Sequence, residues 1–107
     1  MKLLIRLQTP TEMASYEGCA LALTLATFEH DVQLYLDAPV FGFLMQSDSR
    51  LHGMIQSLEL YDMPPAWLPD DVFSGWITGM LPTDVATQLI LIPEFINLQD
   101  FDQILNF

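Results

Sequence analysis

Residues 58–71, LELYDMPPAWLPDD, mark the place where an apolar helix ends and the chain turns into a strand. Pro64 and Pro65 exclude helix, because neither has a backbone donor and each restricts the residue before it. Residues 66–68 then predict a short strand, which residues 69–71 close. In an open α/β sheet, the turn that leaves the carboxyl end of a strand is the usual place for ligands and reactive groups. This turn offers two carboxylates and no nucleophile.

The segments before this turn predict alternating strands and helices. Residues 3–7 are a run of apolar residues typical of a central strand, and residues 32–36 alternate as in a second strand. Residues 9–12 carry three signals of a helix start: a threonine cap, a proline at the first helical position and a glutamate three residues after the cap. We expect this helix to run to about Phe28, with Gly18 allowing a close approach to the sheet. Its apolar face is expected to comprise Ala14, Gly18, Leu21, Leu25 and Phe28.

The remaining segments complete a β-α-β order. Residues 47–49 predict a second helix cap, and an apolar stripe at helical spacing follows them. Residues 72–82 mix two glycines with large apolar side chains without a clear period, so we expect a loop with one helical turn. Residues 88–92 predict a strand, residues 94–101 a short helix and residues 103–107 a final strand. This order predicts a largely parallel sheet with helices on both faces.

The composition is that of one acidic globular domain. The chain has 107 residues, enough for a single hydrophobic core, so we interpret residues 1–107 as one domain. Its 51% hydrophobic and 16% charged residues are typical of a well-packed domain. Fourteen acidic residues against three basic ones (Lys2, Arg6 and Arg50) give a formal charge of −11. Direct binding to nucleic acid is not expected, because phosphate contacts need a cluster of cations.

Nothing in the sequence predicts export or membrane insertion. The longest apolar run, residues 19–28, is interrupted by threonines and falls short of the ~20 residues that span a membrane. Arg6 interrupts the apolar start of the chain, which therefore does not resemble a signal peptide. The single cysteine excludes an internal disulfide and fits a reducing compartment. We therefore expect a soluble, cytoplasmic protein.

Cys19 is the only candidate thiol nucleophile. It lies in the middle of the predicted first helix, two turns past the cap, where the helix dipole no longer favours the thiolate. No lysine, arginine or histidine is near it in the sequence. An unpaired cysteine in this setting usually packs as a small hydrophobe, so we expect no catalytic role for Cys19.

The other polar candidates do not form a recognisable site. His30 and His52 lie far apart in the sequence, without the further ligands that a metal site needs, so we interpret His30 as a turn residue and His52 as helix surface. Asp70 and Asp71 follow a proline and are typical of a solvated turn. The turn at residues 8–11 lacks the glycines and the cation of a phosphate loop. No cofactor or metal is expected.

Aromatic side chains are frequent for a domain of this size. Some must belong to the core, but few charges lie between Phe73 and Leu81, which leaves room for an exposed apolar patch that binds a partner. The candidates for partner contact are Trp67, Phe73 and Trp76. The aromatic residues considered are Phe41, Phe43, Tyr61, Trp67, Phe73 and Trp76.

Three short motifs resemble one protein family. They are VQLYLDAPVF at residues 32–41, LELYD at residues 58–62 and FDQILNF at residues 101–107, alongside an N-terminal strand and long helix. Together they resemble the DsrE/DsrF-like sulfur relay family, and within it the TusC (DsrF) type of subunit. The pattern covers most of the chain, but the middle segment, residues 63–76, is proline-rich and departs from it.

The resemblance implies a flavodoxin-like three-layer α/β fold with a mostly parallel five-stranded sheet. It also implies a subunit of the cytoplasmic TusBCD (DsrEFH) complex, a dimer of heterotrimers, with TusB-like and TusD-like subunits as partners. That complex passes persulfide sulfur toward 2-thiolation of the wobble uridine in tRNA, or toward sulfur oxidation. The family's active cysteine belongs to the TusD (DsrE) subunit, after its third strand, and the aligned residues 67–73 contain no cysteine. The expected role is therefore non-catalytic.

Two other functions remain open at the level of sequence. In one, Cys19 accepts sulfur, and the chain is a sulfur-accepting enzyme. In the other, the chain is an acidic homo-oligomeric binding module unrelated to sulfur. A partner-binding subunit expressed alone is expected to self-associate, because its contact surfaces are then uncovered.

Overall fold

Five parallel strands form one sheet in the computed structural model, which describes residues 1–93 and 98–107. The strands are β1 (Lys2–Leu7), β2 (Asp31–Leu36), β3 (Ala66–Pro69), β4 (Leu89–Ile92) and β5 (Gln103–Asn106). Every neighbouring pair is parallel, and the order across the sheet is β4-β3-β2-β1-β5. The predicted α/β fold is thereby confirmed, since an all-parallel sheet of this size with helices is consistent with a flavodoxin-like three-layer arrangement.

Helices connect these strands. Those in the described residues are α1 (Glu12–Thr27), α2 (Phe41–Met45), α3 (Arg50–Gln56), α4 (Val72–Met80) and α5 (Thr83–Ala86), with 3₁₀ helices at Ala38–Val40, Leu58–Tyr61 and Leu98–Asp100. The helix predicted at residues 94–101 lies partly outside the described residues, because 94–97 are not among them. α1 packs against β1, β2 and α3, and α3 packs against α5, so these helices share one face of the sheet. No helix in the described part of the chain is long and apolar enough to cross a membrane.

Side chains alternate between the two faces of the sheet. In β2, Val32, Leu34 and Leu36 belong to the core beneath the helices, whereas Gln33 and Tyr35 belong to the second face. The predicted alternation is therefore correct. Gln33 and Tyr35 are nevertheless buried, so the second face of the sheet is covered at its centre as well.

β1 lies at the place in the sheet where the order of the strands reverses. From β1 to β4 each strand is added on the same side, whereas β5 returns to pair with the other side of β1. Right-handed crossovers place the first three connections on one face of the sheet. Trp67 is in register with Tyr35 of β2, so the two side chains share the second face, whereas Ala66 and Leu68 face the core together with Ile77 of α4. Phe101, shortly before β5, lies edge-on to Trp67, with ring centroids 6.1 Å apart.

The first helix is capped by Thr11, not by Thr9 as predicted. The Thr11 hydroxyl accepts a hydrogen bond from the Ala14 amide at 3.2 Å, and α1 starts at Glu12. Thr9 instead bonds to the end of the sheet, because its amide donates to the Phe107 carbonyl at 3.0 Å. The helix cap therefore lies two residues later than predicted, and Thr9 belongs to the segment that follows β1.

The prediction of a loop at residues 72–82 is wrong, because most of them form α4. Asp71 caps this helix, with its Oδ1 atom accepting from the Ser74 amide at 2.7 Å. The helical period of this segment was missed because most of its large apolar residues lie on the exposed side of α4, and only Ile77 among them is buried. Gly75 and Gly79 also lower the helical propensity of the segment.

The buried face of α1 differs from the predicted one. Its buried residues are Ser15, Gly18, Cys19, Ala22 and Leu23. Phe28, which was expected on that face, is 70% exposed. α1 is apolar around most of its circumference, so local spacing alone does not select the face that meets the sheet. The predicted close approach at Gly18 is confirmed by its contacts with Leu7 and Phe107.

Candidate partner-binding surface

The turn after β3 leads directly into α4. Asp70 and Asp71 are both exposed, and the Asp70 amide donates to the Ile92 carbonyl at 2.7 Å, which ties the turn to the end of β4. Asp71 caps α4 through the Ser74 amide. The exposed turn agrees with the sequence-based interpretation, whereas the helix start that Asp71 caps was not predicted. No thiol or hydroxyl nucleophile accompanies the two carboxylates in residues 69–71.

An exposed apolar surface runs along α4. Val72, Phe73, Trp76 and Met80 are 72%, 49%, 68% and 67% exposed, and together we call them the α4 stripe. At 3.6 residues per turn these four positions fall within an arc of about 100°. The adjoining side of α4 is buried through Ser74 and Ile77. Large apolar side chains concentrated in one exposed arc are typical of a surface that another protein covers.

The α4 stripe is attached to the core through Phe73. Its ring stacks on the ring of Phe41, with centroids 5.7 Å apart and an angle of 26° between the planes. Phe41 is buried in α2, and α2 packs against α4. The stacking holds one edge of the stripe in place, so that a partner would meet a surface that is already ordered.

The three aromatic residues proposed for partner contact do not lie together. Phe73 and Trp76 belong to the α4 stripe, whereas Trp67 is half-buried on the second face of the sheet against Phe101. Val72 and Met80 complete the stripe and were missed, because residues 72–82 were predicted as a loop. The spacing of Val72, Trp76 and Met80 at intervals of four residues was the signal that could have identified them.

Cys19 is fully buried in the core between α1 and the sheet. Burial raises the pKa of its thiol from 9.0 to about 12. A thiol must be deprotonated and accessible to attack a sulfur atom, and Cys19 is neither at neutral pH. The sequence-based expectation that Cys19 packs as a small hydrophobe agrees with this position.

The two histidines lie in different environments. His52, predicted on the helix surface, is buried, and its Nδ1 atom lies 2.7 Å from the Leu44 carbonyl. Because a carbonyl oxygen only accepts, Nδ1 donates this bond, which connects α3 to α2. His30 is partly exposed in the turn after α1, as predicted. Among the described residues, no group of three or more His, Cys, Asp or Glu side chains is placed to hold a metal ion.

An open pocket of about 630 Å³ lies at the amino ends of the strands. Its walls include Lys2 and Asp31 at the starts of β1 and β2, His30 and Tyr61 in the turns above them, and Phe101. This edge is opposite to the carboxyl edge where α/β sheets usually bind ligands. The pocket mixes one lysine with exposed carboxylates and aromatic rings, a lining that selects no single class of ligand.

Comparison with known proteins gives no match: no family model matches this chain, and no curated protein does. The motifs at residues 32–41, 58–62 and 101–107 are short, so their resemblance to a family carries an expectation of function and not a family assignment. The exposed side of α4 and the burial of Cys19 are the structural observations that bear on this expectation.

Proposed function

We propose that this chain is a non-catalytic, partner-binding subunit of a cytoplasmic sulfur relay complex, of the TusC (DsrF) type. Its partners are TusB-like and TusD-like subunits, and the complex passes persulfide sulfur toward 2-thiolation of tRNA wobble uridine or toward sulfur oxidation. One observation carries the proposal. Where the resemblance places the thiol of a catalytic sister, after β3, this chain has an acidic turn followed by the exposed α4 stripe.

The position of Cys19 supports a non-catalytic role. In a persulfide relay, the thiolate of the acceptor attacks the outer sulfur of the donor persulfide, and the donor leaves as a thiolate. With a pKa of about 12, Cys19 has on the order of one thiolate in 10⁵ molecules at pH 7. The residue is also fully buried, so a donor protein cannot reach its sulfur without unfolding α1 from the sheet.

The α4 stripe supports binding to other proteins. Aromatic residues and methionine are enriched in the cores of protein interfaces, and tryptophan is prominent among residues that dominate binding energy. Trp76 and Met80 expose two thirds of their surface on a helix whose other side is packed. The formal charge of −11 disfavours direct contact with tRNA, which fits a subunit that contacts proteins and leaves the nucleic acid to others.

Co-expression with TusB-like and TusD-like subunits tests the proposal. We expect a stoichiometric complex, measured by co-purification and native mass. Trp76→Ser should weaken the complex, because it removes a large exposed ring from the stripe. Phe28→Ser is the matched control, since Phe28 is equally exposed but lies at the end of α1. A stable monomer that ignores both partners would overturn the proposal, and a homo-oligomer that ignores them would favour the acidic binding module instead.

A second measurement separates this role from that of a sulfur acceptor. The chain is incubated with a cysteine desulfurase and cysteine, alkylated and weighed intact. We expect no added sulfur atom, because Cys19 is buried and protonated. A persulfide on Cys19 of the folded chain would replace the non-catalytic role with a catalytic one.

A further inference from the structure

The charges of this chain are distributed unevenly along its sequence. Residues 51–107 contain no lysine and no arginine. The acidic residues in the same part are Glu59, Asp62, Asp70, Asp71, Asp84, Glu94, Asp100 and Asp102. α4 lies within this part of the chain, so every charge contributed by its own sequence neighbours is negative.

Carboxylates flank α4 on both sides in the sequence. Asp70 and Asp71 precede α4 and are exposed, and Asp84 follows it in α5, where it accepts a hydrogen bond from the Gln56 amide. Among the described residues, the ion pair that the structure shows joins Arg6 to Asp37, at the ends of β1 and β2. The carboxylates that flank α4 are therefore not paired with Lys2, Arg6 or Arg50.

The three cations are engaged elsewhere in the fold. Arg6 lies over the ring of Tyr35, Lys2 over the ring of Phe101 and Arg50 over the ring of Tyr16. None of these rings belongs to the α4 stripe. A cation that pairs with the carboxylates flanking α4 therefore comes from another molecule.

We infer that the α4 stripe binds a partner protein through an apolar ridge, such as one face of a helix, that is bordered by lysine or arginine. This inference rests on the proposed function, because it specifies the surface by which the subunit holds a partner. Apolar contact in the middle of the stripe removes Trp76 and Met80 from water, while the basic border pairs with Asp70 and Asp84. A second copy of this chain is disfavoured at the α4 stripe, because it would place two acidic flanks against each other. The self-association expected of the isolated subunit therefore has to use another surface.

Two synthetic helical peptides test the charge of the partner. They share the same leucine positions, and one has lysine and the other glutamate at every polar position. The full chain with Trp67→Phe leaves Trp76 as its single tryptophan. We expect the lysine peptide to shift the Trp76 emission to shorter wavelength, since the ring leaves water, and the glutamate peptide to leave it unchanged. Calorimetric titration of the unaltered chain gives the same comparison if Trp67→Phe fails to fold.

Two substitutions test the location. Met80→Ser should weaken binding of the lysine peptide about tenfold or more, because a buried methionine side chain is lost from the contact. Phe28→Ser, outside the stripe, should change binding less than about twofold. Asp70→Asn together with Asp84→Asn should reduce the dependence of binding on salt, and Asp71 is left in place because it caps α4.

Three outcomes would overturn the inference. The first is a glutamate peptide that binds as tightly as the lysine peptide. The second is a lysine peptide whose binding is unaffected by Met80→Ser, which would reveal general attraction to an acidic protein. The third is self-association of the chain that Met80→Ser abolishes, which would identify a second copy as the occupant. Loss of sulfur-relay partners in co-expression, with these peptide results intact, would refute the proposed function and leave this surface standing.

Discussion

Gly18 in α1 lies so close to Leu7 in β1 that a β-carbon built on Gly18 would overlap the Leu7 Cδ2 atom. The same β-carbon would lie 2.9 Å from Cγ of Phe107, just beyond the end of β5. The absent side chain thus allows α1 to pack across β1 and the end of the sheet at the point where the strand order reverses. A larger residue would have to displace two apolar side chains that cover this junction.

Gly18→Ala is expected to cost about 1–3 kcal/mol of unfolding free energy through overpacking. The gain of about 1 kcal/mol that alanine brings to a helix interior offsets part of this cost, so the net loss is expected at about 0–2 kcal/mol. Urea denaturation measures it. Gly53→Ala in α3 is the matched control, because a β-carbon there meets open space, and it should be neutral or stabilising. Equal stabilisation by both substitutions would contradict the close contact at Gly18.

Cys19 makes the stability of the protein depend on alkaline pH. Burial raises the pKa of its thiol to about 12 in the folded state, whereas the unfolded thiol titrates near 9.0. The unfolded state therefore loses this proton first, and the contribution of Cys19 to stability is constant below pH 9. Between pH 9 and 12 stability should fall by up to about 1.4 kcal/mol per pH unit through this group.

Comparison with Cys19→Ala isolates the effect of this thiol from every other contribution to the pH profile. The variant will have a different absolute stability, but it should show a shallower loss of unfolding free energy above pH 9. Parallel pH profiles for the two proteins would show that the thiol is not buried as described. Thiol-specific labelling gives a second readout, since Cys19 should react only after unfolding.

Ser74 and Ser15 form a matched pair of fully buried serines in helices. The Ser15 hydroxyl donates to the Glu12 carbonyl at 2.9 Å, whereas the Ser74 hydroxyl has no hydrogen-bond partner among residues 1–93 and 98–107. Ser74→Ala should therefore stabilise the protein by about 0.5–1 kcal/mol, because it removes an unsatisfied group and improves helix propensity. Ser15→Ala should give no such gain. Thermal unfolding of both variants checks the difference, and an equal response would contradict it.

Arg6 and Asp37 join the carboxyl ends of β1 and β2 through an ion pair of 3.1 Å between Nη2 and Oδ2. Both side chains are partly buried, so we expect a coupling of about 1–2 kcal/mol, above that of a fully exposed pair. A double-mutant cycle with Arg6→Met and Asp37→Asn measures this coupling free of the stacking of Arg6 on Tyr35. The coupling should weaken as salt is added, and a value of zero at low salt would refute the pairing.

Local pattern was sufficient for the strands and for the class of fold. The alternation of residues 32–36 and the proline-bounded run at residues 66–68 each predicted a strand that the structure contains. These signals depend only on neighbours in the chain, because apolar runs and prolines restrict the backbone wherever they occur. The burial of Cys19 was predictable on the same basis, since nothing near it in the sequence favoured a thiolate.

The cap and the faces of the helices were decided by distant parts of the chain. Thr9 was predicted to cap α1, but its amide donates to the Phe107 carbonyl, and the side chain of Thr11 caps the helix. His52 was predicted on the helix surface, but its ring is buried and hydrogen-bonded to the Leu44 carbonyl. Both hydrogen bonds have a partner outside the local pattern. The position of the cap and the burial of His52 therefore do not follow from the neighbouring residues in the chain.

Residues 58–71 and the helix that follows them show which functional features depend on the sequence alone and which depend on the tertiary structure. The sequence by itself determined that this turn leads from helix to strand, ends in two carboxylates and lacks a thiol. Only the tertiary structure decided that the following residues form α4, that Trp76 and Met80 lie in water, and that Trp67 packs on the second face. The physical reason is that propensity and capping act between chain neighbours, whereas exposure depends on what packs across the sheet, and that is specified by the whole chain.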